Sequence, residues 1–223
     1  MTATALASPA PRATHAPAIA VEVSVTRDAA ELLAPFVVGI SLTNTTGRNM
    51  RLNFPTADLF RIDVFHNDTP VWSSLSGHKP IPVNRQIDVP PGRTKLASMT
   101  IDSTTDDRRA YEPGKYIVRV AMLGTSFGAI VDKELHFATP ISIAEMMRLK
   151  PGTVVSLSGE QLAVNGNAVL RDASGSVRLN RALALRTSGT YVVRGFLDAS
   201  GDDRIFDIGR FAPAFDNAPS PAP

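Results

Sequence analysis

The alternation of apolar and polar side chains constrains this chain more than any other feature. Ile19, Val21, Val23 and Val25 alternate with Ala20, Glu22 and Ser24, and Phe36, Val38, Ile40 and Leu42 alternate with Val37, Gly39, Ser41 and Thr43. Met50, Leu52 and Phe54 point one way on a third segment, and Phe60, Ile62 and Val64 do so on a fourth. A period of two is the mark of a half-buried strand, since successive side chains on a strand point to opposite faces. Further short runs follow at Val71-Trp72, 85–89, 95–101, 116–123 and 133–138. Turn signals separate these short runs, so the chain must reverse repeatedly, and the pattern predicts a β-sandwich rather than a helix bundle.

The order of these signals carries a resemblance. An alternating strand closes on Asn44; the next ends in Phe54-Pro55; a hairpin leads into Val71-Trp72-Ser73; Pro91-Gly92 forms a turn; and Pro113-Gly114-Lys115-Tyr116 opens the last long strand. This series resembles the intracellular proteinase inhibitor family of the BsuPI type, whose domains are immunoglobulin-like β-sandwiches. The resemblance spans about residues 19–138, and it implies an Ig-like sandwich that binds a serine protease through a loop. Phe60-Arg61-Ile62-Asp63 and Ile81-Pro82-Val83-Asn84 stand where the family usually has a Tyr-Asp pair and an aromatic-Thr-Gln stretch. Trp72, the only tryptophan, is the expected core aromatic of the sandwich.

Composition divides the rest. Residues 1–18 are rich in Ala, Pro and Thr, and residues 216–223 are similar, so both read as disordered arms around the folded part. Residues 139–152 read as a linker. Within it Ser142 and Glu145 have the spacing of a capping box for one or two helical turns. Residues 153–215 read as a small β-barrel, with strands near 154–157, 161–164, 168–172, 177–179, 191–197 and 204–211 and a short, potentially helical Ala182–Leu185 segment. The phrase Val192-Val193-Arg194-Gly195-Phe196-Leu197 before a final strand resembles the last hairpin of an OB-fold.

The chain has no cysteine, which excludes disulfides, thiolate metal sites and a cysteine nucleophile. No apolar run approaches the length of a membrane helix. The N-terminus as written has no signal-peptide pattern. These features leave the compartment open, with the cytoplasm favoured over export.

No motif of catalysis is present: no Gly-x-Ser-x-Gly elbow, no phosphate-binding glycine loop, and His15, His66, His78 and His136 lack zinc spacing. The Asp198–Asp203 segment reads as a polar hairpin loop; it lacks the spacing and distal glutamate of a calcium loop. The second region carries nine basic and six acidic side chains between Arg148 and Arg210, a balance of +3 that is weak for a single-stranded nucleic-acid groove. Tyr191, Phe196, Phe206 and Phe211 would supply its stacking surface, but Phe196 and Phe206 fall at core positions.

The stretch from Trp72 to Asn84 is the remaining candidate for contact. Pro80 and Pro82 stiffen it, which lowers the entropy lost on binding, and Ser73, Leu75, His78, Lys79 and Asn84 supply side chains. The expectation is therefore an all-β, non-enzymatic protein-binding module without cofactor or metal. It would act as a binding or assembly subunit toward a protein partner or a larger assembly. One alternative is active inhibition of a subtilisin-like serine protease through residues 73–84. A second is nucleic-acid binding by the C-terminal barrel, which its weak charge makes the least favoured.

Overall fold

A computed structural model of the chain describes residues 18–26, 29–125, 127–181, 189–198 and 204–214. It is nearly all β. Ten strands precede a single helical turn: β1 (Ile19–Val25), β2 (Ala29–Ala30), β3 (Phe36–Asn44), β4 (Met50–Thr56), β5 (Phe60–His66), β6 (Thr69–Ser73), β7 (Pro82–Val89), β8 (Gly92–Ile101), β9 (Gly114–Met122) and β10 (Ile130–Phe137). They form a three-stranded sheet β1-β3-β8, a five-stranded sheet β2-β10-β9-β5-β6 and a two-stranded ribbon β4-β7. The alternation fixes which face is inside. Phe36, Val38, Ile40 and Leu42 of β3 are buried, and so are Tyr116, Val118, Val120 and Met122 of β9. The two sheets meet over these side chains in a sandwich-like arrangement, with Phe36 of one edge-on to Phe137 of the other at 6.1 Å between ring centres.

The aromatic centre of this core differs from the expected one. Trp72 is half-buried and packs on the margin of the core. It sits on β6, the last strand of its sheet, where only one flank is covered. The fully buried aromatic cluster is Tyr111, Tyr116, Phe137 and Phe36. Tyr111 stacks on Phe137 at 4.6 Å, and Tyr116 stands edge-on to both at 5.1 Å. In sequence Trp72, the only tryptophan, reads as the core aromatic. A turn flanked by a short last strand, though, places an aromatic at a sheet margin rather than between the sheets.

After β10 the chain makes α1 (Ile143–Met146), then β11 (Val154–Val164), β12 (Asn167–Asp172), β13 (Gly175–Leu179), β14 (Thr190–Asp198) and β15 (Ile205–Pro213). These five strands close into a barrel of order β11-β12-β13-β15-β14, with β13 and β15 parallel and the other contacts antiparallel. The stretches 154–157 and 161–164, read as two strands in sequence, are one continuous strand. Gly159 lies between them, and a Cβ there would meet the Arg171 carbonyl at 2.5 Å. The barrel interior holds Leu157, Leu170, Val177, Val193 and Phe206. Asn165 and Gly166, both at positive φ, make the β11–β12 turn. Ala182–Leu185 and the Asp198–Asp203 loop beyond Asp198 lie outside the described residues.

The segment 139–152 does not run free between the two halves. Ile141 N–H donates to the Ser156 carbonyl, and Ile143 and Met146 are buried in the barrel core. The expected capping box is present. Ser142 Oγ accepts from Glu145 N at 3.2 Å, and the Glu145 carboxylate accepts from Ser142 N at 2.8 Å.

Candidate functional site

Two surfaces qualify, one foreseen from the sequence and one not. The foreseen surface is the stretch from Ser73 to Asn84. The structure splits it. Ser73 ends β6, Ser74–Gly77 turn, and Pro82 and Asn84 already belong to β7 rather than to a loop. Ser73 and Leu75 are half-buried, while His78, Lys79, Pro80, Pro82 and Asn84 are exposed. Ser76 N–H donates to the Ser73 carbonyl and His78 N–H to the Leu75 carbonyl, so local turns order the stretch as well as the prolines.

β7 has an unusual environment. It pairs only with β4, so its other edge has no strand partner among the described residues. Residues 82–86 are exposed on both faces. Ile81 and Val83 are 67% and 46% exposed. Sequence reasoning named the prolines here and passed over these two aliphatic side chains. An apolar residue between prolines reads as a buried position unless one knows that the strand has no sheet above it. Arg85 Nη1 donates to the Ala57 carbonyl at 3.1 Å, and Arg51 pairs with Asp88 at 2.8 Å across the ribbon. The hydrogen bond from Arg51 holds the Asp88 carboxyl below the ordinary carboxylate range. Charges and a proline on an outer strand are also the usual protection against unwanted edge pairing.

The second surface is a cleft of about 540 Å³ where the barrel meets the sandwich-like half. Leu32, Tyr111, Pro113, Pro140, Ile141 and Val192 form its apolar wall, and Glu112, Glu145 and Asp172 bring carboxylates to it. The contact that frames it is fixed by hydrogen bonds and ion pairs. Ser156 Oγ donates to the Leu32 carbonyl at 2.6 Å, Ala110 N–H donates to the Pro213 carbonyl at 3.0 Å, and Arg210 pairs with Asp102 at 2.9 Å. Arg194 pairs with Glu31. Val192 and Ala212 of the barrel pack into the sandwich-like core, so the contact is apolar as well as polar.

The carboxylates have definite local tasks. Asp172 Oδ2 accepts from Ile143 N–H at 2.8 Å, while Oδ1 accepts from Ser174 N–H, Ser174 Oγ and Gly175 N–H. Burial disfavours the charged form of Asp172, but these hydrogen bonds together outweigh it and hold the carboxyl below its ordinary range. Glu145 is held low by hydrogen bonds from the Ser142 backbone and side chain. Glu112 faces His66, whose Nδ1 lies 3.5 Å from its carboxylate and whose ring stacks on Tyr116 at 4.4 Å. Burial pushes the Tyr116 hydroxyl up to about 12 and the Tyr111 hydroxyl higher still. No signal in the sequence announced this cleft, because its residues come from segments as distant as Leu32 and Ala214.

The barrel exterior offers little for stacking. Tyr191 and Phe206 are buried and Phe196 is half-buried, whereas Phe211 is 36% exposed. Arg194 and Arg210 are engaged by carboxylates of the other half. Among the described residues no group of three or more histidine, aspartate or glutamate side chains is arranged to hold a metal. No described helix is long and apolar enough to cross a membrane.

No protein-family model matches the chain, and no curated protein does. Among solved structures it is similar to the sporulation control protein Spo0M of Bacillus subtilis, at 8% identity over 81% of this chain and 80% of that one, with a TM-score of 0.38. It is similar to the alkylpurine DNA glycosylase AlkC of Pseudomonas fluorescens at 13% identity, over 55% of this chain and 31% of that one, with a TM-score of 0.34. It is also similar to a β-glucosidase from Listeria innocua at 10% identity, over 54% and 16%, with a TM-score of 0.32. The chain thus spans less than a third of the length of the latter two. Overlaps this loose carry neither a fold family nor an activity, so a functional reading has to rest on the chain's own geometry.

Proposed function

We propose that the chain is a non-enzymatic protein-binding module that engages its partner along the His78–Asn84 stretch and the open edge of β7. One observation carries this reading: among the described residues β7 is paired on one side only and exposed on both faces over residues 82–86, with Ile81 and Val83 in solvent. An extended partner segment on such an edge gains main-chain hydrogen bonds from the strand and side-chain contacts from alternate positions. Pro80 and Pro82 limit the entropy that binding costs. In this reading the first half is an Ig-like sandwich of the intracellular proteinase inhibitor kind over 19–138, and the second is an OB-like barrel over 153–215. A closed barrel whose third and fifth strands run parallel supports the OB assignment. The two halves then form separate domains joined at 139–152.

The test is affinity capture from the native host with the purified chain, identified by mass spectrometry, beside an Ile81→Asp/Val83→Lys variant. A partner held by the wild type and lost by the variant supports the reading. A partner held equally by both moves the interface elsewhere. Protease inhibition is the second reading, favoured by the family resemblance and by exposed His78 and Lys79. Titration against a subtilisin-like protease decides it: inhibition at micromolar concentration, lost in a His78→Ala/Lys79→Ala variant, is the supporting result. Inhibition that survives that change places the contact outside residues 78–84.

A further inference from the structure

We infer that the cleft between barrel and sandwich is a second binding site, built for an arginine or lysine side chain presented by an extended segment of a partner protein. The observation behind it is independent of β7. The cleft wall is mostly apolar, with Leu32, Pro113, Pro140, Ile141 and Val192, while Glu112, Glu145 and Asp172 are the charged residues that line it; no cationic side chain does so among the described residues. An apolar wall with a carboxylate rim matches a side chain with an aliphatic stem and a cationic head, which buries the stem and keeps the head at the rim.

The charges at this rim persist. Asp172 and Glu145 are held ionised by backbone and hydroxyl hydrogen bonds, which lower their pKa values without neutralising them by a bound cation. Arg148, just past the end of α1, acts on Glu145 and offsets part of the field, but it does not line the cleft. Tyr111 lines the cleft, is 1% exposed, and its hydroxyl has no hydrogen-bond partner among the described residues.

The site is also held open in advance. The Ser156–Leu32 and Ala110–Pro213 hydrogen bonds and the Arg210–Asp102 pair tie its two sides together, so little ordering has to accompany binding. A cleft of about 540 Å³ has the size of a small-ligand pocket. The apolar wall gives the residues that flank the cation a surface to pack on, and this favours a protein segment over a free amine.

Titrating the isotopically labelled full chain with the peptide acetyl-Ala-Pro-Arg-Ala-Pro-amide, followed by amide NMR shifts, tests this. The expected result is saturable movement of the Ile141, Ser158 and Thr190 amides, with those of β7 unmoved. A Glu112→Gln/Glu145→Gln variant keeps hydrogen-bond acceptors while removing two charges, and should bind about tenfold more weakly. Its unchanged shifts elsewhere would show that it is folded. Four outcomes overturn the inference: no movement at millimolar peptide, equal binding of the peptide with Glu in place of Arg, undiminished binding by the variant, or equal binding of arginine amide alone, which would make the cleft a small-molecule site.

Discussion

The two halves of this molecule solve the sheet-edge problem in opposite ways. In the barrel, β11 pairs with β14 and the five strands close on themselves, so every strand has a neighbour on both sides. In the sandwich-like half, β4 and β7 form a separate ribbon, and among the described residues β7 has one strand partner. Closure leaves no backbone edge for a partner to read. An open ribbon offers one, together with Ile81 and Val83. The main-chain pairing proposed above therefore needs the first half, and the closed barrel contributes one wall of the cleft.

If closure is what distinguishes the barrel, the largest effect should come from preventing it. At Gly195 the register of β14 against β15 shifts, and a Cβ there would lie 1.9 Å from the Asp207 carbonyl. That carbonyl belongs to the paired strand and cannot rotate away as a side chain would. Gly195→Val should destabilise the barrel by about 4 kcal/mol or more, or prevent its folding. Thermal or urea unfolding with Trp72 fluorescence, read beside far-UV circular dichroism, separates the halves. A variant within about 1 kcal/mol of wild type would mean that the bulge relaxes and that closure is not strict.

The second effect sharpens the account of the sandwich core. Phe137→Ala removes a fully buried ring that contacts Phe36, Tyr111 and Tyr116. It should cost about 3–5 kcal/mol. Trp72→Ala, at a half-buried margin, should cost clearly less, by about 1–2 kcal/mol. Native Trp72 emission should lie between the buried and the fully solvated extremes. Equal costs for the two variants would restore Trp72 to the centre of the core.

These contrasts show what a sequence reveals and what it hides. The strands were legible because burial is local: β3 alternates residue by residue, and its inner face could be named from Phe36, Val38, Ile40 and Leu42 alone. The capping box at Ser142–Glu145 was legible for the same reason, since both partners lie within four residues. Trp72 was misplaced because depth in a core depends on strand order, and order is set by pairings between distant segments. β9 lies between β10 and β5, which no local pattern states. Exposure of Ile81 and Val83 was hidden because it follows from a missing neighbour. The cleft was hidden because Leu32, Tyr111, Asp172 and Val192 meet only after both halves have formed.

A third effect is confined to alkaline solution. Burial raises the Tyr116 hydroxyl to about 12, and its oxygen also accepts from Glu112 N–H at 3.0 Å. For an acid raised in the folded state, the neutral form is the one folding favours. Its stabilisation is therefore fully present below the unfolded value near 10 and is lost as pH rises toward 12. The expected outcome is a midpoint temperature that falls between about pH 10 and pH 12, less steeply in Tyr116→Phe, which has nothing to ionise there. Tyr111 is raised further and adds to the same slope, so the single variant should flatten it only in part. An identical slope in the variant would place the alkaline transition elsewhere.

The smallest effect concerns the joint between the halves. Asp172 stands at the end of β12 and accepts the first backbone N–H of α1, while Ser174 Oγ takes the second at 2.9 Å. The helix is a single turn, so its place on the barrel depends on these bonds and on Ile143 and Met146 beneath it. Asp172→Asn keeps the size and one acceptor but turns an amide toward N–H groups that need an oxygen, and should cost about 1 kcal/mol. The pH dependence has the opposite sign to that of Tyr116. A carboxyl lowered in the folded state stabilises it above the ordinary carboxylate range, and that stabilisation is lost as pH falls through the lowered value. The wild type should therefore lose its advantage over Asp172→Asn only in acid, where both side chains are neutral. Hydrogen exchange at Ile143 and Ala144 is the local readout. Faster exchange at neutral pH in the variant, with barrel amides such as Val193 unchanged, is expected if Asp172 pins the helix. If the barrel amides speed up equally, Asp172 supports the barrel itself, and the joint is no weaker than the closed structure it rests on.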